Sequence, residues 1–158
     1  MEKKIINSKV KRQNCKVKVK NNNEKKYPDV TVGGLIFNQE NKFFLMTSPK
    51  WDGKYTIPGG HIERGETIEE ALRREIKEET NLDIFEIEFI TYMESLSTED
   101  FHDKRHFIFF DFACQTKTEE VVLDREGTDY VWVTLDEALQ LPLANSTKDL
   151  ILIYRDQQ

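Results

Sequence analysis

The segment Thr67-Ile-Glu-Glu-Ala-Leu-Arg-Arg-Glu-Ile-Lys-Glu-Glu-Thr-Asn81 constrains this chain more than any other stretch. It reads as one helix over about Ile68 to Thr80. Thr67 with Glu70 three residues on forms a capping box, which satisfies backbone donors that a helix start leaves unpaired. Asn81 closes the segment as a residue that tolerates the left-handed conformation found at helix ends. On a wheel of about 100° per residue, Ile68, Ala71, Leu72 and Ile76 form an apolar stripe that needs a core to cover it. Glu75 and Glu79 point into the same stripe and Glu78 lies at its edge, while Arg73, Lys77, Glu69 and Glu70 occupy the opposite side.

A helix selected for stability alone would avoid this arrangement. Carboxylates turned toward the core lose hydration. Like charges at about 6 Å and an effective dielectric near 20 repel by roughly 3 kcal/mol per pair. The helix C-terminus also disfavours anions. A hard divalent cation converts all three costs into ligand interactions, and ligands that are oxygen throughout point to Mg²⁺ or Mn²⁺ rather than zinc.

The rest of the chain supplies a scaffold for such a helix. At 158 residues it fits one domain of α/β class. Strand patterns run through Val30–Phe37, Lys42–Thr47 and Tyr55–Ile57 before the helix, with Ser48 to Lys54 as a loop. Others run through Phe85–Met93, His106–Cys114 and Tyr130–Thr134 after it, followed by helices over Leu135–Leu141 and Thr147–Arg155. That order predicts a mixed sheet with helices packed on it.

Charge is uneven. Residues 1–26 hold ten Lys/Arg and two Glu, a local balance of +8 in a chain of net charge −6, which leaves −14 for the remaining 132 residues. The basic segment reads as a solvated, partly disordered extension, with Lys16-Val-Lys-Val-Lys20 suited to a lysine-guarded edge strand. A nucleic-acid grip is the alternative, and the less favoured one. No apolar run approaches the roughly 18 residues a membrane helix needs, and no signal-peptide pattern opens the chain. Cys15 and Cys114 show no metal or redox spacing, and Cys114, inside Phe-Ile-Phe-Phe-Asp-Phe-Ala-Cys, suits a core. A reduced, cytoplasmic setting and no membrane partner are therefore expected.

The helix and the residues before it resemble the box of the Nudix family. Gly60, Glu66, Arg74, Glu75, Ile76, Glu78, Glu79 and Leu82 fall on its fixed positions in one register, with Asn81 in place of the family's Gly. Pro58-Gly59 before the box and Trp132-Val-Thr-Leu-Asp-Glu-Ala138 after the last strand are similar too. The resemblance implies a Nudix-type α/β/α sandwich around a mixed β-sheet for residues 27–158. It implies that Glu75, Glu78, Glu79 and the Gly60 carbonyl hold the cation, and that Glu66 pairs with Arg74 to brace the segment. It further implies that water attacks a phosphoanhydride, with Glu75 or a neighbouring acid as its base. By analogy with compact MutT-like members, Glu126 completes the metal site.

Weaker signals concern the substrate. Lys50 and Lys54 are placed to hold phosphates, or to keep a surface solvated. Trp51 offers a ring for stacking on a base or for packing. Asp111 interrupts an apolar strand and either reads a base edge or faces water. His102 and His106 flank a short charged segment and act near the leaving phosphate or serve as structural partners. The markers that family members carry for ADP-ribose, dinucleoside polyphosphates and coenzyme A do not occur at Ser48–Trp51 or Ser97–His102. The expected substrate is therefore a canonical or modified nucleoside triphosphate, cut to monophosphate and pyrophosphate. Action on ADP-ribose, a nucleotide sugar or an RNA 5′ end is the alternative, as is a non-catalytic nucleotide- or RNA-binding module.

Overall fold

A computed structural model describes residues 27–96, 99, 101–102 and 104–158. The basic segment 1–26, with Cys15 and the suggested edge strand Lys16–Lys20, lies outside the described residues.

The chain runs β1 (Asp29–Phe37), β2 (Phe43–Thr47), β3 (Tyr55–Thr56), β4 (Gly59–His61), α1 (Ile68–Thr80), β5 (Ile84–Ser95), β6 (Phe107–Thr116), β7 (Asp129–Val133), α2 (Leu135–Ala138) and α3 (Asn145–Asp156). Strand order across the sheet is β3-β2-β1-β6-β5, with β4 on β1 and β7 on β2. β1 and β6 pair in parallel from Asp29↔Phe107 to Phe37↔Gln115, and the other pairings are antiparallel, so the sheet is mixed.

β1 is buried along almost its whole length because helices cover both faces of the sheet. Its even positions Val32 and Ile36 join Ala71, Leu72 and Ile76 of α1 in one core, together with Phe44, Met46 and Leu82. Its odd positions Leu35 and Phe37 join Leu150 and Ile151 of α3 in a second core, with Phe43, Leu45 and Ala138. The period-2 alternation of a central strand thus feeds two cores and gives three layers, α/β/α.

The feature that shapes the site is a split in the sheet. β1 and β2 meet at Phe37↔Phe43 and then diverge. The β3–β4 segment fills the opening: Met46↔Thr56 and Thr47↔Tyr55 tie β3 to β2, while Thr31↔His61 through Gly33↔Gly59 tie β4 to β1.

Several boundaries differ from the sequence reading. β4 was not expected as a strand. α2 ends at Ala138 rather than Leu141, because the Gln140 and Leu141 N–H groups turn to the carbonyls three residues back, at Glu137 and Ala138, and Pro142 disfavours helical geometry at Leu141. α3 begins at Asn145, before Thr147. Within the expected loop, Pro49–Trp51 forms a 3-10 turn capped by the Ser48 hydroxyl, which accepts from the Lys50 N–H. Ile68 leaves the apolar stripe of α1 and is 37% exposed. Cys114 is buried and its thiol is pushed up to about 12 by that burial. No helix among the described residues is long and apolar enough to cross a membrane.

Candidate active site

α1 is set by its ends. The Thr67 hydroxyl accepts from the Glu70 N–H, and the Glu70 carboxylate accepts from the Thr67 N–H at 2.8 Å. Asn81 takes the left-handed conformation, φ 61° and ψ 9°, and its N–H donates to the Lys77 carbonyl. Between these ends, Ala71, Leu72, Ile76 and Thr80 are buried. Glu75 and Glu79 are therefore half-buried at the edge of the core, whereas Glu78 is 59% exposed.

Both half-buried acids meet the glycines of β4. The Gly59 N–H donates to Glu79 at 2.8 Å. A Cβ built on Gly60 would lie 2.4 Å from the Glu75 carboxyl carbon, so a glycine is required for that close approach. Arg74 braces the loop before α1. Its guanidinium donates twice to Glu66, at 2.6 and 2.9 Å, to the His61 carbonyl at 3.0 Å, to Glu75 at 2.8 Å and to Glu78 at 3.3 Å. Glu66 also accepts from the Glu63 N–H at 2.9 Å. The Arg74 contact, with this backbone donor, holds the Glu66 carboxyl down at about 2.

The segment between β6 and β7 is hooked onto the end of α1. The Val122 N–H donates to the Thr80 carbonyl and the Asp124 N–H to the Glu79 carbonyl, which satisfies helix carbonyls that would otherwise lack partners. Asp124 accepts from the Glu126 and Gly127 N–H groups and fixes the turn. Glu126 then stands on the cleft beside Glu79, ion-paired with Lys50. Burial raises the Glu79 carboxyl to about 8, opposed by the Gly59 N–H and reinforced by Glu75, Asp124 and Glu126. Burial also raises Glu75, against the pull of Arg74.

A cleft of about 270 Å³ opens above these groups. Its lining includes Gly59, Gly60, His61, Glu75, Glu79, Glu126 and Lys50. It also includes Met93, Phe101, Phe107, Phe109 and Trp51, together with Asp111. Trp51 meets Phe101 edge-on at 4.8 Å, Phe101 meets Phe107 at 5.1 Å, and Phe107 stacks with Phe109 at 5.1 Å. The structure therefore brings together Gly60, Glu75, Glu79, Glu126, Lys50, Trp51 and Asp111. Glu66, Arg74 and Glu78 stand beside the cleft, not on its wall. Lys54 and His106 do not line it, and His106 pairs with Glu94 at 2.8 Å.

His61, Met93, Phe101, Phe107 and Phe109 were missed by the sequence reading. Phe107, Phe109 and Asp111 share one parity of β6, a signal that was present but could not be assigned to a face. His61 adjoins Gly60 and accepts or donates with Asp29 at 3.0 Å.

Among the described residues, no three acid, His or Cys side chains converge as a preassembled metal cage. The donors are nonetheless all oxygen, the Glu75 carboxyl lies where a Gly60 side chain would be, and neighbouring carboxylates oppose the ionisation of Glu79. That chemistry suits a hard divalent cation.

Comparison with known proteins agrees with this geometry. The NUDIX domain profile matches residues 27–152. Nucleoside triphosphatase NudI of Escherichia coli K12 is 36% identical over 102 residues, covering 61% of this chain and 72% of that protein. Among solved structures, the NUDIX domain of Shewanella oneidensis NrtR, complexed with ADP ribose, superposes with a TM-score of 0.71 at 21% identity over 84% of this chain and 89% of that one. The MutT protein of Methanosarcina mazei Go1 superposes with a TM-score of 0.70 at 23% identity, over 85% of this chain and 99% of that one. With the profile covering most of the chain, the chain belongs to the Nudix hydrolase family.

Proposed function

We propose that this protein hydrolyses nucleoside triphosphates to the monophosphate and pyrophosphate, with Mg²⁺ as its cation and Mn²⁺ as a substitute. The observation that carries the reading is the mixed lining of one cleft, which joins carboxylates and a lysine to a cluster of aromatic rings. The NudI relative, a nucleoside triphosphatase by name, supports the same substrate class.

Glu75, Glu78, Glu79, Glu126 and the Gly60 carbonyl would hold the cation. When bound, it neutralises charge on the phosphate chain and makes water more acidic. Lys50 exchanges its Glu126 partner for a phosphate oxygen and contributes a point charge. The Glu66–Arg74 pair positions Glu75 through the Arg74 contact at 2.8 Å. Glu75, raised by burial and free of that contact on one oxygen, takes the proton of the attacking water. Trp51 and the phenylalanines receive the base.

The test is a hydrolysis panel of nucleoside triphosphates, ADP-ribose, nucleotide sugars and dinucleoside polyphosphates, run with Mg²⁺ and with chelator. Turnover in ¹⁸O-water identifies the phosphorus attacked. Metal-dependent release of pyrophosphate from triphosphates is expected. A higher kcat/KM for ADP-ribose or a nucleotide sugar would overturn the substrate assignment.

A further inference from the structure

Asp111 is the residue of the cleft whose chemistry the proposed hydrolysis leaves unused. It is 3% exposed, on a strand whose other cleft-facing residues, Phe107 and Phe109, are aromatic. Its Oδ2 is buried and has no hydrogen-bond partner. Nearby polar side chains behave differently: the Thr56 and Thr147 hydroxyls bond each other at 3.1 Å, and Thr31 bonds the Ile108 carbonyl. A buried carboxyl without a partner is costly, so its retention calls for a ligand.

The surroundings keep a place for this carboxyl. Asp111 pairs in register with Gly33, and a Cβ on Gly33 would lie 2.7 Å from Asp111 Oδ1 and 2.6 Å from Ile57 Cδ1. Any side chain at position 33 would push the carboxyl aside. Gly33 also pairs with Gly59, whose N–H holds Glu79. The Asp111 backbone therefore stands two strands from the Gly59 backbone, about 10 Å at the usual strand spacing, and both residues line the same cleft. A ligand with its phosphates at Glu75 and Glu79 would reach the aromatic wall with its base and meet Asp111 with the base's outer edge.

We propose that Asp111 selects the nucleobase, its carboxylate accepting a hydrogen bond from an exocyclic amino group, so that the site takes cytosine or adenine nucleotides over their oxo counterparts. This rests on the nucleotide reading of the same cleft. An ionised carboxylate accepts and does not donate, so above pH 7 a carbonyl at the same base position leaves two acceptors facing each other. Burial holds the Asp111 carboxyl up at about 7, and an N–H donor favours the ionised form.

The experiment compares base pairs that differ in that one group, CMP with UMP and AMP with IMP. Binding is followed by titration calorimetry on the full chain in Mg²⁺ at about pH 8.5, where the Asp111 carboxyl is ionised, for wild type, D111N and D111V. Wild type should bind the amino member roughly tenfold more tightly, the scale of one hydrogen bond to a charged group. D111V should lose that preference through weaker binding of the amino member, and D111N, which offers both a donor and an acceptor, should narrow it. Thermal unfolding above pH 7 should show both variants at least as stable as wild type, since an unpartnered buried charge is gone. Equal binding of the paired nucleotides by wild type, or an unchanged preference in D111V, would overturn the assignment. Because binding is read without turnover, a base preference in a protein that cleaves no triphosphate would retain Asp111's role and discard the hydrolytic substrate.

Discussion

Glu79 is subject to two opposed demands. Its carboxyl is half-buried beside Glu75 and Glu126, which favours the protonated form, yet a cation ligand must be ionised. Its folded value of about 8 lies above the ordinary 4.5, so the protonated form is the one favoured by folding. The stability this contributes is complete below pH 4.5 and is lost as pH rises to about 8. In chelator, wild type should therefore lose melting temperature between these values, and Glu79→Gln, which cannot ionise, should lose less. The same variant should lower turnover by roughly a hundredfold or more, because it removes a negative oxygen from the cation site. Retained turnover in Glu79→Gln would remove Glu79 from that site. A steeper fall of stability with pH in the variant than in wild type would contradict its buried titration.

The elements differ in how much of them the sequence disclosed, and each difference has a local cause. α1 was legible to the residue because the Thr67–Glu70 box and Asn81 are chemical signals for its two ends, and helical spacing set its faces. Thr67→Ala should cost about 1 kcal/mol. Asn81→Gly should change stability by a few tenths of a kcal/mol at most, and Asn81→Val should cost roughly 1–2 kcal/mol, because a β-branched residue resists φ near 61°. Denaturant midpoints for the three variants check the order, and an Asn81→Val protein as stable as wild type would mean the left-handed end is not needed. β4 was not legible, since Gly59-Gly60-His61 carries no alternation, and pairing with β1 creates the strand. The aromatic wall was hidden for the opposite reason. β6 is apolar on both parities, with Phe107 and Phe109 on the cleft side and Phe110 and Phe112 on the α1 side. Asp111 marked the odd parity as unusual, but placing that parity in the cleft required the β1–β6 register.

For the molecule as a whole, the uneven charge and the acid cluster bear on one another. Residues 1–26 carry the basic excess, while the NUDIX match starts at residue 27 and β1 opens at Asp29. A chain starting at Tyr27 should keep its metal-dependent turnover of small nucleotides, and loss of turnover in a folded truncated chain would assign the segment to the active unit. The rest of the chain sums to −14, and part of that charge is concentrated where Glu75, Asp124 and Glu126 oppose the ionisation of Glu79. A cation that binds the folded chain and not the unfolded one stabilises it by mass action, about 2.7 kcal/mol at a hundredfold excess over Kd. For a domain of this size that is a rise of roughly 5–10 °C in Tm. The rise should itself depend on pH. Mg²⁺ must displace the proton that burial keeps on Glu79 until about pH 8, so the Mg²⁺-induced shift should be small at pH 6 and large at pH 8.5. Melting curves in Mg²⁺ and in chelator, at matched ionic strength and at both pH values, measure this directly. A shift equal at the two pH values would place the cation away from Glu79. No shift at pH 8.5 under saturating Mg²⁺ would mean that the carboxylates on this cleft do not form a cation site.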